Sequence, residues 1–279
     1  MGFPRTVVGG LSVSRMIIGT NWMLGWSHQS PAKDNLINSL NTREAIADIL
    51  EVFFGRGVDT IMGPLTQHPR ILDAIQDAED RTGVECIKVD TPIINVEDTV
   101  QGRDESKAIF DQVAATGARI CLPHHSSVER LLDRSSEKIR RLEEYTAMIR
   151  ERGMIPGLSA HMPEVVAYSD KENYDVETYI QIYNCMGFLM QLEVEWVAKL
   201  IHDAKKPVMT IKPMAAGRVT PFVGLTFVWN SIRDQDMVTV GTMTPDEAKE
   251  VIEMSMAILD RRKPDIGVRG TPSQYTVPR

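Results

Sequence analysis

Six histidines are the residues in this chain best suited to chemistry: His28, His68, His124, His125, His161 and His202. An imidazole titrates near neutrality, so it can pass protons, and it is the commonest nitrogen ligand of divalent metals. Five of the six follow short apolar runs, and only His202 falls in a helical stretch. His124 and His125 are neighbours, and neighbours in extended chain point opposite ways. His124, directly after Leu122-Pro123, is the one expected to face a site. His125 is expected to face solvent or to act from behind.

Two lysines join them. Lys88 sits inside an apolar run, with Asp90 two residues on and on the same side. A lysine entering an interior must be paired or lose its proton; otherwise it snorkels outward between helices. Lys212 ends another apolar run before Pro213, with Gly217-Arg218 close behind. A lysine at such a turn is suited to an anionic group, and Arg218 adds a second cationic contact.

The elements that position these residues alternate regularly. Apolar runs at 15–20, 58–62, 84–89, 118–122, 154–158, 178–183, 207–211 and 237–240 read as strands. Helical spacing fills 42–56, 69–82, 105–116, 137–152, 163–169, 193–204, part of 221–232, and 245–260. Eight such alternations predict a parallel sheet closed into a (β/α)₈ TIM barrel, whose active site lies past the carboxyl ends of the strands. The chain of 279 residues suits one such domain. Residues 2–13 are expected to form a hairpin under the barrel, 22–41 a long loop over the site, and 261–279 an irregular tail. An open doubly wound sheet would want a glycine-rich phosphate loop, and none appears.

Composition narrows the partners. A net charge of −7 argues against nucleic acid. Three scattered cysteines make neither a disulfide framework nor a metal motif. No apolar stretch approaches the roughly 18 residues of a membrane span. The amino end lacks the plan of a signal peptide, so a cytoplasmic protein with a small-molecule substrate is expected.

Several segments resemble the aldo-keto reductases. Gly10-Leu11-Ser12-Val13-Ser14-Arg15 followed by Ile18-Gly19-Thr20-Asn21 is similar to their opening. Gly157-Leu158-Ser159-Ala160-His161-Met162-Pro163-Glu164, Tyr183-Asn184, Ile211-Lys212-Pro213-Met214-Ala215-Ala216-Gly217-Arg218, and the stretch from Val238 to Ala248 resemble the segments at their fifth to eighth strands. The resemblance implies a barrel that binds NADP or NAD and reduces a small carbonyl, alcohol or sugar-like substrate with an Asp, Tyr, Lys and His. Lys88 and His124 fall at the lysine and histidine positions. Met62 stands at the aspartate position, and no tyrosine occurs between Met62 and His68.

Under this reading His124 or His68 donates the proton, and Lys88 with Asp90 tunes it. Ser159, Tyr183, Lys212, Gly217, Arg218 and Thr242 hold the cofactor, with the start of the eighth helix favouring its phosphates. A second reading is a metal-dependent lyase, isomerase or hydrolase. In it one divalent ion is bound by some of His28, His68, His124 and His161, with Asp90 as a further ligand. A third is a barrel kept only as a binding or assembly unit.

Overall fold

The computed structural model describes residues 2–267. Eight parallel barrel strands run Met16–Gly19, Thr60–Gly63, Ile87–Asp90, Ile120–Cys121, the pair Ile155–Pro156 and Leu158–Ala160, Tyr179–Ile182, Val208–Ile211 and Met237–Val240. The two short segments are halves of the fifth strand, parted at Gly157. One half pairs with the fourth strand and the other with the sixth, which closes the ring. A Cβ at Gly157 would come 2.8 Å from the side chains of Leu122 and Thr178, so the closure needs glycine there. The protein is a (β/α)₈ barrel.

Pleating decides what the barrel contains. Ile17, Met62, Val89, Ile120, Leu122, Ile180, Met209 and Met237 point inward as one apolar cluster. The hairpin of Arg5–Val8 and Leu11–Ser14 adds Val8 and Val13 to that cluster and plugs its amino end. A larger apolar shell fills the space between strands and helices. Charges at the amino end are paired. Arg5 meets Asp59 at 2.7 Å, and Arg233 holds the buried Asp236 with bonds of 2.8 and 2.9 Å.

The helices follow the strands, and several depart in detail from the sequence pattern. The loop at 22–41 contains a helix, Pro31–Leu40, capped by Ser30. It buries only Ile37, so it carries no apolar stripe to read. The third helix, Val100–Ala115, begins earlier than 105 because Thr99 caps it. The fourth, Leu142–Arg150, begins later than 137 because Lys138–Ile139 pairs with Leu132–Asp133 in a small hairpin. The seventh, Pro221–Ser231, exposes Phe222 and Val223 while burying Leu225 and Val228, and this all-round apolarity blurred its period. Residues 261–267 are irregular, and the rest of the expected tail lies outside the described residues. No helix among the described residues is long and apolar enough to cross a membrane.

Candidate active site

The loops at the carboxyl ends of the strands surround a cavity of about 850 Å³. Its floor is formed by Gly19, Met62, Ser159, Ile180, Ile211 and Thr239. Trp22 and Trp26 wall one side, and His124, His125 and His161 wall another. Lys212 and Arg218 come from the loop after the seventh strand.

The histidine wall is built by two strand ends. After the fourth strand, His124 caps the short helix His125–Val128. Its Nδ1 accepts from the Ser126 backbone N–H at 3.3 Å and lies 2.8 Å from the Ser126 hydroxyl. With Nδ1 accepting, the ring proton belongs on Nε2. After the fifth strand, the backbone N–H groups of His161 and Met162 donate to Glu129 Oε1 at 2.6 and 3.0 Å. Glu129 stands four residues after His125, one helical turn on, and its Oε2 lies 3.5 Å from His125 Nδ1.

The three imidazoles stack. Ring centres of His124 and His125 are 4.1 Å apart, and those of His125 and His161 are 3.7 Å apart with planes at 20°. Burial, with the neighbouring His125 and Lys212 charges, brings His124 down to about 4 and His161 to about 3. Both rings are therefore neutral at pH 7. Burial opposes ionisation of Glu129, but the bonds from His125, His161 and Met162 hold its carboxyl below the usual range. Neutral imidazoles can donate hydrogen bonds to a developing oxyanion, and a carboxylate beside a third imidazole supports it as a base.

Lys212 faces this wall. Its burial lowers the ammonium to about 8, and it has no ion pair among the described residues. Its charge is felt at His28, His124 and His161. The backbone explains how it gets there. Met209 and Ile211 point inward, so parity would send Lys212 outward. Instead Lys212 has φ 60°, a left-handed turn before Pro213 that swings it over the cavity. Arg218 lies over the Phe188 ring at 4.1 Å and donates to the carbonyls of Ala215 and His28.

No protein-family model matches this chain, and no curated protein matches it. Solved structures do. One is a Pseudomonas aeruginosa protein assigned provisionally to the aldo-keto reductases. It is similar at TM-score 0.65 and 15% identity over 91% of this chain and 95% of that one. An aldose reductase from Giardia lamblia gives TM-score 0.54 and 14% identity, covering 95% and 90%. A 3-deoxy-D-arabino-heptulosonate 7-phosphate synthase from Thermotoga maritima gives 0.56 and 11%, covering 93% of each. At these identities the likeness is one of fold.

The residues expected to act divide sharply in this barrel. His28, His124, His161, Ser159, Lys212, Gly217, Arg218 and Thr242 line the one cavity. Lys88 does not. Val89 takes the inward position, so Lys88 points to the helices and lies 3.8 Å from Glu79. Asp90 shares that outward parity; it is fully buried and accepts from the Thr66 backbone N–H at 2.8 Å, fixing the loop after the second strand. His68 precedes the helix Pro69–Thr82 and meets Trp26 edge-on at 5.4 Å, off the cavity wall. Tyr183 is buried behind the wall against Phe227, its hydroxyl 3.0 Å from Ser231 Oγ, so it offers no face for a ring to stack on. No tyrosine lines the cavity among the described residues; Gln67 does.

Two further expectations are corrected. The start of the eighth helix is not a free anion site: Thr244 caps it, and the Glu247 carboxylate accepts from Met243 N–H at 2.7 Å. Glu247 and Glu250 both border the cavity there, so a phosphate would meet acid. His28, His68, His124 and His161 do not form a metal set either. The ligand atoms that gather within 4.8 Å of one another are those of His125, Glu129 and His161. His125 was expected to stand behind the site because extended geometry was assumed, whereas the helix begins at that residue. Glu129 was missed, although its i+4 spacing from His125 on a helical turn is a readable signal.

Two imidazoles and a carboxylate are a sound donor set for zinc, iron or manganese. The present ring orientation is not. Imidazole lone pairs lie in the ring planes, and near-parallel planes do not meet at a point about 2.0–2.1 Å from both nitrogens. One ring would have to swing out of the stack to take up an ion.

Proposed function

We propose that this protein is a lyase or isomerase that moves protons next to the carbonyl of a small substrate. The observation that carries this reading is the stack of His124, His125 and His161, backed by Glu129 and faced by Lys212 across one cavity. His125, supported by the Glu129 carboxylate, takes the proton. Neutral His124 and His161 hydrogen-bond the oxygen on which charge develops. Lys212 and Arg218 give the cavity a cationic side for an anionic group on the substrate. Were one ring to swing out of the stack, His125, Glu129 and His161 would be the residues to hold a divalent ion, which would supply polarisation of the carbonyl in place of their proton-transfer roles.

The test is proton exchange in D₂O, followed by NMR, over a panel of 2-oxo acids and hydroxy ketones, with metal content measured on protein never exposed to chelator. Exchange or cleavage that His125→Gln abolishes supports the reading. An inert panel overturns it. Metal below about a tenth of an equivalent removes the ion, since tight sites exceed this.

A second reading is an oxidoreductase using NADP or NAD. It is favoured by the fold likeness and by Ser159, Lys212, Gly217, Arg218 and Thr242 lining a cavity of about 850 Å³. Against it stand the outward Lys88, the hidden Tyr183 and the acidic start of the eighth helix. Quenching or enhancement of NADH or NADPH fluorescence on titration, with an inert exchange panel, would put this reading first.

A further inference from the structure

Resting on the proton-transfer reading, we propose that Lys212 is the electrophile-forming residue: its amine joins the substrate carbonyl as an imine, so the substrate is a small aldehyde or ketone.

Carbon-bound protons are removed easily only when the electrons left behind have somewhere to go. The cavity holds two candidate sinks. The ion site needs its stacked rings rearranged, as shown above. Lys212 needs nothing moved. It lies on the cavity wall beside Ile211 and Met214, has no ion pair among the described residues, and is close enough to His124 and His161 for its charge to be felt there. The desolvation that lowers its proton affinity provides free amine near neutrality. Its backbone supports a role. A non-glycine residue at positive φ is strained, and the residue before proline prefers extended chain. Here that costly turn directs the amine into the cavity. Ala215 at φ 48° and Ala216 at φ 55° continue the left-handed path.

The step balances without an oxidant. The Lys212 Nζ lone pair attacks the carbonyl carbon, and the C=O π pair moves to oxygen, which takes a proton. The attacking nitrogen sheds one proton, the oxygen takes up a second from solvent and leaves as water, and the nitrogen lone pair forms the C=N bond, giving a protonated imine. An adjacent C–H or C–C bond then breaks and sends its pair toward the iminium nitrogen. The released proton, from carbon or from a β-hydroxyl, passes to His125. Reprotonation and hydrolysis return the free amine.

Sodium borohydride trapping with pyruvate and with dihydroxyacetone tests this, read by intact mass and peptide mapping. The expected result is one reduced adduct per chain, located at Lys212. No adduct, or adducts spread over surface lysines, overturns the imine. Lys212→Arg separates chemistry from charge, with folding checked by circular dichroism. It is expected to lose trapping and proton exchange together. If Lys212→Arg keeps exchange, the lysine serves as a cation and the proposal falls while the proton-transfer reading stands. If the native protein neither traps nor exchanges, both fall.

Discussion

Lys88 lies within the third barrel strand and Lys212 just past the end of the seventh, on positions of the same parity. Val89 beside one and Ile211 beside the other point inward, so both lysines should point out. Lys88 does, and reaches Glu79 on the helix Pro69–Thr82. Lys212 does not, because φ 60° turns it over the cavity. One charge is paired in the packing layer, and the other, on the cavity wall, has no ion pair among the described residues. The contrast shows how a barrel separates its duties. Paired groups hold strand to helix, while the unpaired group at a strained turn is set aside for a ligand.

The largest effect expected from breaking this contrast is on turnover. Lys212→Met should reduce proton exchange on the order of a thousandfold or more. Next, His125→Gln should cost about a hundredfold or more, as loss of a positioned base does; both are measured by the same NMR assay.

Stability should respond with the opposite sign at Lys212. Burial lowers its proton affinity in the folded state to about 8, below the 10.5 of an ordinary lysine. Below pH 8 both states hold the proton and the burial penalty on the folded state is fully present. Between about 8 and 10.5 the unfolded chain binds more protons, so stability rises with pH. Lys212→Met should therefore stabilise the fold at pH 7 by roughly 1–3 kcal/mol, with the gain shrinking as pH approaches 10.5. Urea titrations across that range measure it.

The smallest effect sharpens the other side. Lys88→Met removes a partly buried charge, and Glu79 keeps its bond from the Cys86 backbone N–H at 2.7 Å. Stability should change by no more than about 1 kcal/mol, and exchange should be unaltered. A large loss of exchange would restore Lys88 to the site.

The order of elements was legible because periodicity is local. Alternating apolar runs and helical stripes at 58–62, 69–82 and 237–240 each announce themselves within a few residues. Where a helix buries almost nothing, as around Ile37, or is apolar all round, as near Phe222, the local signal fades. The candidate site was legible only as a set of strand-end residues. His124, His161 and Lys212 were placed on the cavity side by that rule alone. Lys88, Asp90, His68 and Tyr183 obeyed the rule in sequence and still missed the cavity. Each is turned away by pleat parity or by packing in the helix layer.

By itself, then, the amino-acid sequence determined the barrel, its plugged amino end and the edge at which ligands meet it, since these depend on patterns within single segments. Only the tertiary structure decided which side chains converge. The stacking of His125 on His161 depends on two strand ends brought together from different segments, with Glu129 tying them. The reach of Lys212 depends on one backbone angle that no composition rule encodes.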